Sequence, residues 1–181
     1  MPAHAGKEGL FDRYFTKAAR WLLARGVRPN HFTFLQVPVF VAEVYAALNG
    51  LRWLFIGLIG LVIFLDGGDG ILARVGGLQS RAGAVLDASF DTAGIAIVLW
   101  GASVFFPEAA LWLALLFVGN LLLYVQNAVV GSKAVSYLRG PVLAAVAFPQ
   151  TLLAALLIDG FIVAWLLAAR LPRTIRRLVP A

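Results

Sequence analysis

The stretch Asp66-Gly67-Gly68-Asp69-Gly70-Ile71-Leu72-Ala73-Arg74, followed after eight residues by Gly83-Ala84-Val85-Leu86-Asp87-Ala88-Ser89-Phe90-Asp91, puts four carboxylates where two long apolar segments meet. Residues 53–65 before it and 92–105 after it carry no charge. A carboxylate inside a membrane span is costly and rare, so such a residue is a functional candidate by default. Asp66 and Asp69 stand three apart, and Asp87 and Asp91 four apart. Each pair therefore shares one face of a helix. The short connection from about Val75 to Ala82 makes the two helices antiparallel neighbours, so both pairs can converge on one point.

Working outward, the chain reads as an all-α membrane protein: six transmembrane helices preceded by an amphipathic interfacial helix. A spanning helix needs about 20 predominantly apolar residues. The first span is expected at about His31–Leu48, the second at Trp53–Arg74, the third at Gly83–Phe105 and the fourth at Ala110–Val130. The last two share residues 137–177, with Asp159-Gly160 as the turn between them. A five-span alternative makes residues 141–171 one long broken helix. Upstream, Leu10, Phe11, Tyr14, Phe15, Ala18, Trp21 and Leu22 recur at helical spacing beside Arg13, Lys17, Arg20 and Arg25. Such a helix lies in the headgroup region or packs on its own protein. Residues 1–30 are thus expected to form a cytoplasmic juxtamembrane segment, and residues 31–181 a six-helix catalytic domain.

Composition agrees with a membrane setting. Of the 181 residues 61% are hydrophobic and 13% charged, against about 25% charged in soluble domains. Net charge is +6. The basic residues sit at the ends of apolar segments, and no RNA-binding signature is present, so nucleic acid is not an expected partner. There is no cysteine, which excludes disulfides and thiolate chemistry. The apolar positions of the first 30 residues are periodic rather than continuous, unlike a cleavable signal peptide. Six spans put 14 of the 15 Lys and Arg residues on one side and Arg52 alone on the other. The positive-inside rule then predicts a multi-pass cell-membrane protein with both termini and the acidic motif on the cytoplasmic side.

Four converging carboxylates repel one another unless a cation sits between them. An all-oxygen site suits Mg²⁺, Mn²⁺ or Ca²⁺. With no cysteine, and with His4 and His31 both outside the motif, a zinc-type site is not expected. Two such ions could polarise a phosphoryl centre and stabilise a leaving group. Gly67, Gly68, Gly70 and Gly83 remove side chains where backbone or ligand comes close, Ala73 keeps the same face small, and Arg74 offers a fork of donors suited to phosphate oxygens. Taken singly, the glycines also suit helix packing and Arg74 an interfacial anchor.

These residues resemble the CDP-alcohol phosphotransferase family, whose signature is D-x2-D-G-x2-A-R-x8-G-x3-D-x3-D. Asp66, Asp69, Gly70, Ala73, Arg74, Gly83, Asp87 and Asp91 match every fixed position. Pro29-Asn30-His31-Phe32-Thr33 is similar to the Pro-Asn-x-x-Thr run that often precedes the family's first span. The resemblance implies transfer of a phosphatidyl-type group from a CDP-alcohol, such as CDP-diacylglycerol or its archaeal ether analogue, to an acceptor hydroxyl, with release of CMP. It implies that Asp66, Asp69 and Asp87 hold Mg²⁺ or Mn²⁺, two ions per site. Asp91 would be the general base and touch a second metal. Asp66, Asp69, Gly70, Ala73, Arg74, Gly83 and Asp87 would line the CDP site. Members of the family often pair through membrane helices, so a homodimer is compatible with it.

For the acceptor, many members that use a phosphorylated alcohol carry basic residues after a tyrosine near the end of the fourth span. Here Tyr124 is followed by Gln126 and Asn127, and amides suit an uncharged hydroxyl better. Lys133 and Arg139 are further candidates for the acceptor, set against the ordinary positive-inside bias. Two other function classes fit intramembrane acids. A cation transporter would spread them along the bilayer, whereas these cluster at one side. A catalytically inactive scaffold has no need of all four aspartates.

Overall fold

In the computed structural model, which describes residues 10–130 and 139–178 and the side chains of residues 15–126, 142 and 144–178, the protein is helical, with no strand among the described residues. The helices are α1 (Leu10–Ala24), α2 (Pro29–Leu48), α3 (Arg52–Val75), α4 (Arg81–Phe105), α5 (Ala110–Val130), α6 (Arg139–Ala147) and α7 (Leu152–Leu178). Short 3-10 turns at Pro107–Ala109 and Pro149–Thr151 precede α5 and α7. Five segments are long and apolar enough to cross a membrane: α2, α3, α4, Pro107–Gln126 and Pro149–Leu178. At most 39% of each is buried within the protein. Phe34, Trp53, Phe64, Trp112 and Phe161 are among the large side chains left exposed. Water would not tolerate so much open apolar surface, whereas a bilayer solvates it. The protein is a multi-pass membrane protein.

The first four spans lie within two residues of their expected ends. The expected turn at Asp159-Gly160 does not occur, because both residues lie inside α7. The chain breaks instead at Phe148-Pro149, where Phe148 leaves the helical region (φ −127°, ψ 88°) and the next turn starts on proline. The Phe106-Pro107 break is built the same way, with Phe106 at φ −134° and ψ 72°. Proline lacks an N–H and holds the preceding residue out of the helical region, so each Phe-Pro pair ends one helix and starts the next. An Asp-Gly break within hydrocarbon would instead strip backbone groups of their partners. The nine residues of α6 are too few to span by themselves, and α6 packs against α7.

Three helices stop on glycines with positive φ: Gly26, Gly50 and Gly77. At the end of α3 the Leu78 N–H donates to the Ala73 carbonyl at 3.0 Å and Gly77 N–H to the Arg74 carbonyl at 3.4 Å. This paired closure needs a left-handed residue, which Gly77 supplies at φ 61°.

The chain forms two compact units. One comprises residues 1–39 and 60–91, the other residues 40–59 and 92–181. In the second unit a core is built from Ala46, Phe55, Ile59, Val98, Leu113 and Val146, among others. Gly101 stands directly against the Phe55 ring, and Gly119 against Val163 at 2.6 Å from an ideal Cβ. Small residues thus let neighbouring helices close up where lipid offers no hydrophobic drive between them. Arg52 lies 5.5 Å from the Phe105 ring centre and 5.7 Å from that of Phe106.

In the first unit α1 is the expected amphipathic helix. It buries Ala19, and the Leu23 side chain approaches Gly76. Phe15 and Trp21 remain exposed, with the Arg25 guanidinium 3.6 Å above the Trp21 ring. Contact with the protein is therefore made by Ala19 and Leu23, while Phe15 and Trp21 face outward.

Candidate metal centre

The acidic stretch lies within the first unit, on the last turns of α3 and the first turns of α4. The connection, residues 76–80, is fastened at both ends. The Gly77 closure ends α3, and Ser80 caps α4, its hydroxyl oxygen accepting the Gly83 N–H at 3.0 Å. Gly83 fits beneath this cap, since an added Cβ would stand 3.1 Å from the Ser80 oxygen.

This hairpin brings Asp66, Asp69 and Asp87 together, with one carboxylate oxygen of each within 4.8 Å of the others. Asp69 is buried at 5% exposure, Asp66 is half-buried and Asp87 is exposed. Asp91 follows one turn further along the same face of α4 and is half-buried. The spacing predicted that all four would converge; Asp66, Asp69 and Asp87 do, and Asp91 lies outside their group.

The approach of α2 shapes the same site. Thr33, buried at 4%, donates its hydroxyl to Asp69 Oδ2 at 2.7 Å. Beside it the Phe32 ring lies so close to Gly68 that a Cβ there would come within 2.8 Å. Phe34 meets Phe90 of α4 edge to face, with ring centres 6.1 Å apart at 87°. The missing side chain at Gly68 is therefore what lets α2 lie against the acidic turn. The Pro-Asn-x-x-Thr run was legible as an opening motif, but no role for Thr33 could be read from it. Thr33 and Asp69 are 36 residues apart, beyond any helical periodicity.

Arg74 folds back over Gly70, its Nη1 3.2 Å from the place a Cβ would occupy, and is exposed. Ala73 is half-buried. No side chain lies within 4 Å of a Cβ built on Gly67, so the space beside Asp66 is open. The donor set consists of carboxylate oxygens, which matches the preference of Mg²⁺ and Mn²⁺. Three acids this close repel one another when ionised, and a bound cation would offset that repulsion. The residues present therefore fit a divalent ion.

The residues suggested for the acceptor are described only in part. Gln126 belongs to the second unit, and its amide donates to the Leu167 carbonyl at 3.3 Å, joining α5 to α7. Lys133 and the side chains of Asn127 and Arg139 lie outside the described residues.

Residues 27–175 match the sequence family described as CDP-alcohol phosphatidyltransferase. No curated protein sequence matches the chain. Among solved structures the fold is similar to that of the Mycobacterium tuberculosis phosphatidylinositol phosphate synthase with CDP-DAG bound. The TM-score is 0.67 and the identity 20%, and the match covers 90% of this chain and 94% of that one. At this identity the likeness is one of fold.

Proposed function

The chain belongs to the CDP-alcohol phosphatidyltransferase family, and from that premise we propose that it joins a CDP-linked lipid to an alcohol at the α3–α4 hairpin in a metal-dependent reaction. The acceptor hydroxyl oxygen forms a bond to the β-phosphorus of the donor. The bond from that phosphorus to the bridging pyrophosphate oxygen breaks, and CMP leaves with the bridging oxygen. The hydroxyl proton passes to a carboxylate, for which Asp91 is the best placed. It stands one turn from Asp87 on the same face and outside the group of three, so it is not tied to holding the ion.

Asp66, Asp69 and Asp87 would hold Mg²⁺ or Mn²⁺, and Asp91 would touch a second ion. Bound there, the metal supplies charge neutralisation for the donor's phosphates and for the departing CMP. Gly70, Ala73, Arg74 and Gly83 border the nucleotide. Gly70 and Gly83 let the backbone approach it, and the Arg74 fork pairs with phosphate oxygens. The six basic residues before the first span, together with Arg74, Arg81, Lys133 and Arg139, fall on the side of the acidic hairpin, so that side and the N-terminal segment are cytoplasmic.

The observation that carries this reading is the convergence of three motif carboxylates to within 4.8 Å. It is tested by mixing purified protein with CDP-diacylglycerol, Mg²⁺ or Mn²⁺ and a panel of alcohols, and measuring CMP. The expected result is CMP release that needs divalent metal and an acceptor and is lost in Asp87→Ala. Metal-independent release, or full activity in Asp87→Ala, would overturn the proposal.

A further inference from the structure

Hydroxyls inside membrane helices ordinarily satisfy themselves on their own backbone. That is the arrangement of Ser89 on the Val85 carbonyl at 2.8 Å, Ser103 on Trp100 at 2.6 Å, and Thr174 on Arg170 at 3.1 Å. Thr33 behaves differently. Its hydroxyl crosses from α2 to α3 and donates to Asp69 Oδ2 at 2.7 Å, with both residues buried. The crossing depends on the close seat of Phe32 against Gly68, one residue before Asp69. A hydrogen bond to a carboxylate that ligates metal fixes its rotation and selects the lone pairs left for the ion.

We propose that Thr33 is a positioning residue for the metal centre: its hydroxyl holds Asp69 in the orientation that completes the ion site with Asp66 and Asp87. The inference rests on the metal-site reading above. Without the ion the three acids repel one another, and Asp69 is the buried member of the set. The Thr33 bond opposes its rotation away from the other two. The donated proton occupies one lone pair of Oδ2 and leaves the remaining lone pairs of the carboxylate for metal. The ion then meets a set already arranged and does not have to collect it.

The test is direct Mn²⁺ binding to the purified full chain, read from the free-ion paramagnetic resonance signal. No lipid donor is needed. Thr33→Val keeps the shape and removes the hydroxyl, and Thr33→Ser keeps the hydroxyl and removes the methyl. Outer-shell partners of this kind are worth about 10–100-fold in metal affinity. Thr33→Val is expected to weaken Mn²⁺ binding by about tenfold or more, and Thr33→Ser to bind near wild type. The Mn²⁺ concentration giving half-maximal CMP release should rise with the loss of affinity, while KM for CDP-diacylglycerol changes less. Should Thr33→Val fold poorly, Thr33→Ala makes the same deletion and is expected to show the same weakening. Unchanged Mn²⁺ affinity in the folded hydroxyl-free variant, or equal weakening in Thr33→Ser, overturns the inference. Failure of the wild-type protein to bind Mn²⁺ would instead overturn the metal-site reading itself.

Discussion

Asp69 on α3 and Asp159 on α7 are both nearly sealed inside membrane-spanning helices, at 5% and 1% exposure. Asp69 is met by the Thr33 hydroxyl and by two further carboxylates. Neither oxygen of Asp159 has a hydrogen-bond partner among the described residues. Its helix neighbours on the same face, Ala155 and Val163, are apolar and buried. A carboxylate is costly to place in hydrocarbon wherever it falls. Cost alone therefore does not identify a site; convergence does. The contrast extends to the two units. The one holding Asp69 is organised by polar and aromatic contacts around a carboxylate cluster, and the one holding Asp159 by an apolar core.

That contrast can be broken at several points. The largest effect is expected for Asp91→Asn. A general base contributes about 10²–10⁴-fold in rate, so turnover measured as CMP release should fall by that factor. Binding of the nucleotide donor, followed by calorimetry, should persist. Near-normal turnover in this variant would remove Asp91 from the chemistry.

A middle effect is expected for Gly101→Ala. The new methyl would press on the fully buried Phe55 ring in the core of the second unit. Overpacking of this kind costs about 1–3 kcal/mol, read as a lower thermal midpoint. Mn²⁺ affinity should hold, because the acids belong to the other unit. A loss of Mn²⁺ affinity equal to the loss of stability would show that the distinction between the units is false.

The smallest effect is expected for Asp159→Asn. The amide keeps the shape, opens no cavity and removes the ionisable group. CMP release and its metal dependence should stay at wild-type values, and the thermal midpoint should hold or rise. Abolished release in Asp159→Asn would make Asp159 a second functional acid and end the comparison.

The same pair of acids shows how far the sequence could be read. Asp66, Asp69 and Asp87 were legible because helical spacing and a short connection dictate that they meet. The first four spans were legible because continuous apolar runs end at Gly-containing or Phe-Pro punctuation. Asp159-Gly160 was misread for a physical reason. In a soluble chain that pair is turn chemistry, whereas within a bilayer the helix must continue to keep its backbone bonds. Its acid is simply carried along inside α7. The true break, Phe148-Pro149, repeats the Phe106-Pro107 pattern and could have been found from it. The Thr33–Asp69 bond lay beyond reach because it joins helices 36 positions apart and depends on how closely Phe32 can approach Gly68.

The five-residue connection between α3 and α4 has one more consequence. Gly77 closes the end of one helix and Ser80 opens the next, so the angular phase of each acid is counted from a fixed origin. Each residue advances an α-helix by about 100°. One residue added between Ser80 and Asp87 would turn Asp87 by about that angle, away from Asp66 and Asp69, with every side chain of the motif still present. The fixed intervals of the motif therefore work as a gear ratio: the teeth mesh only while the count between them is kept.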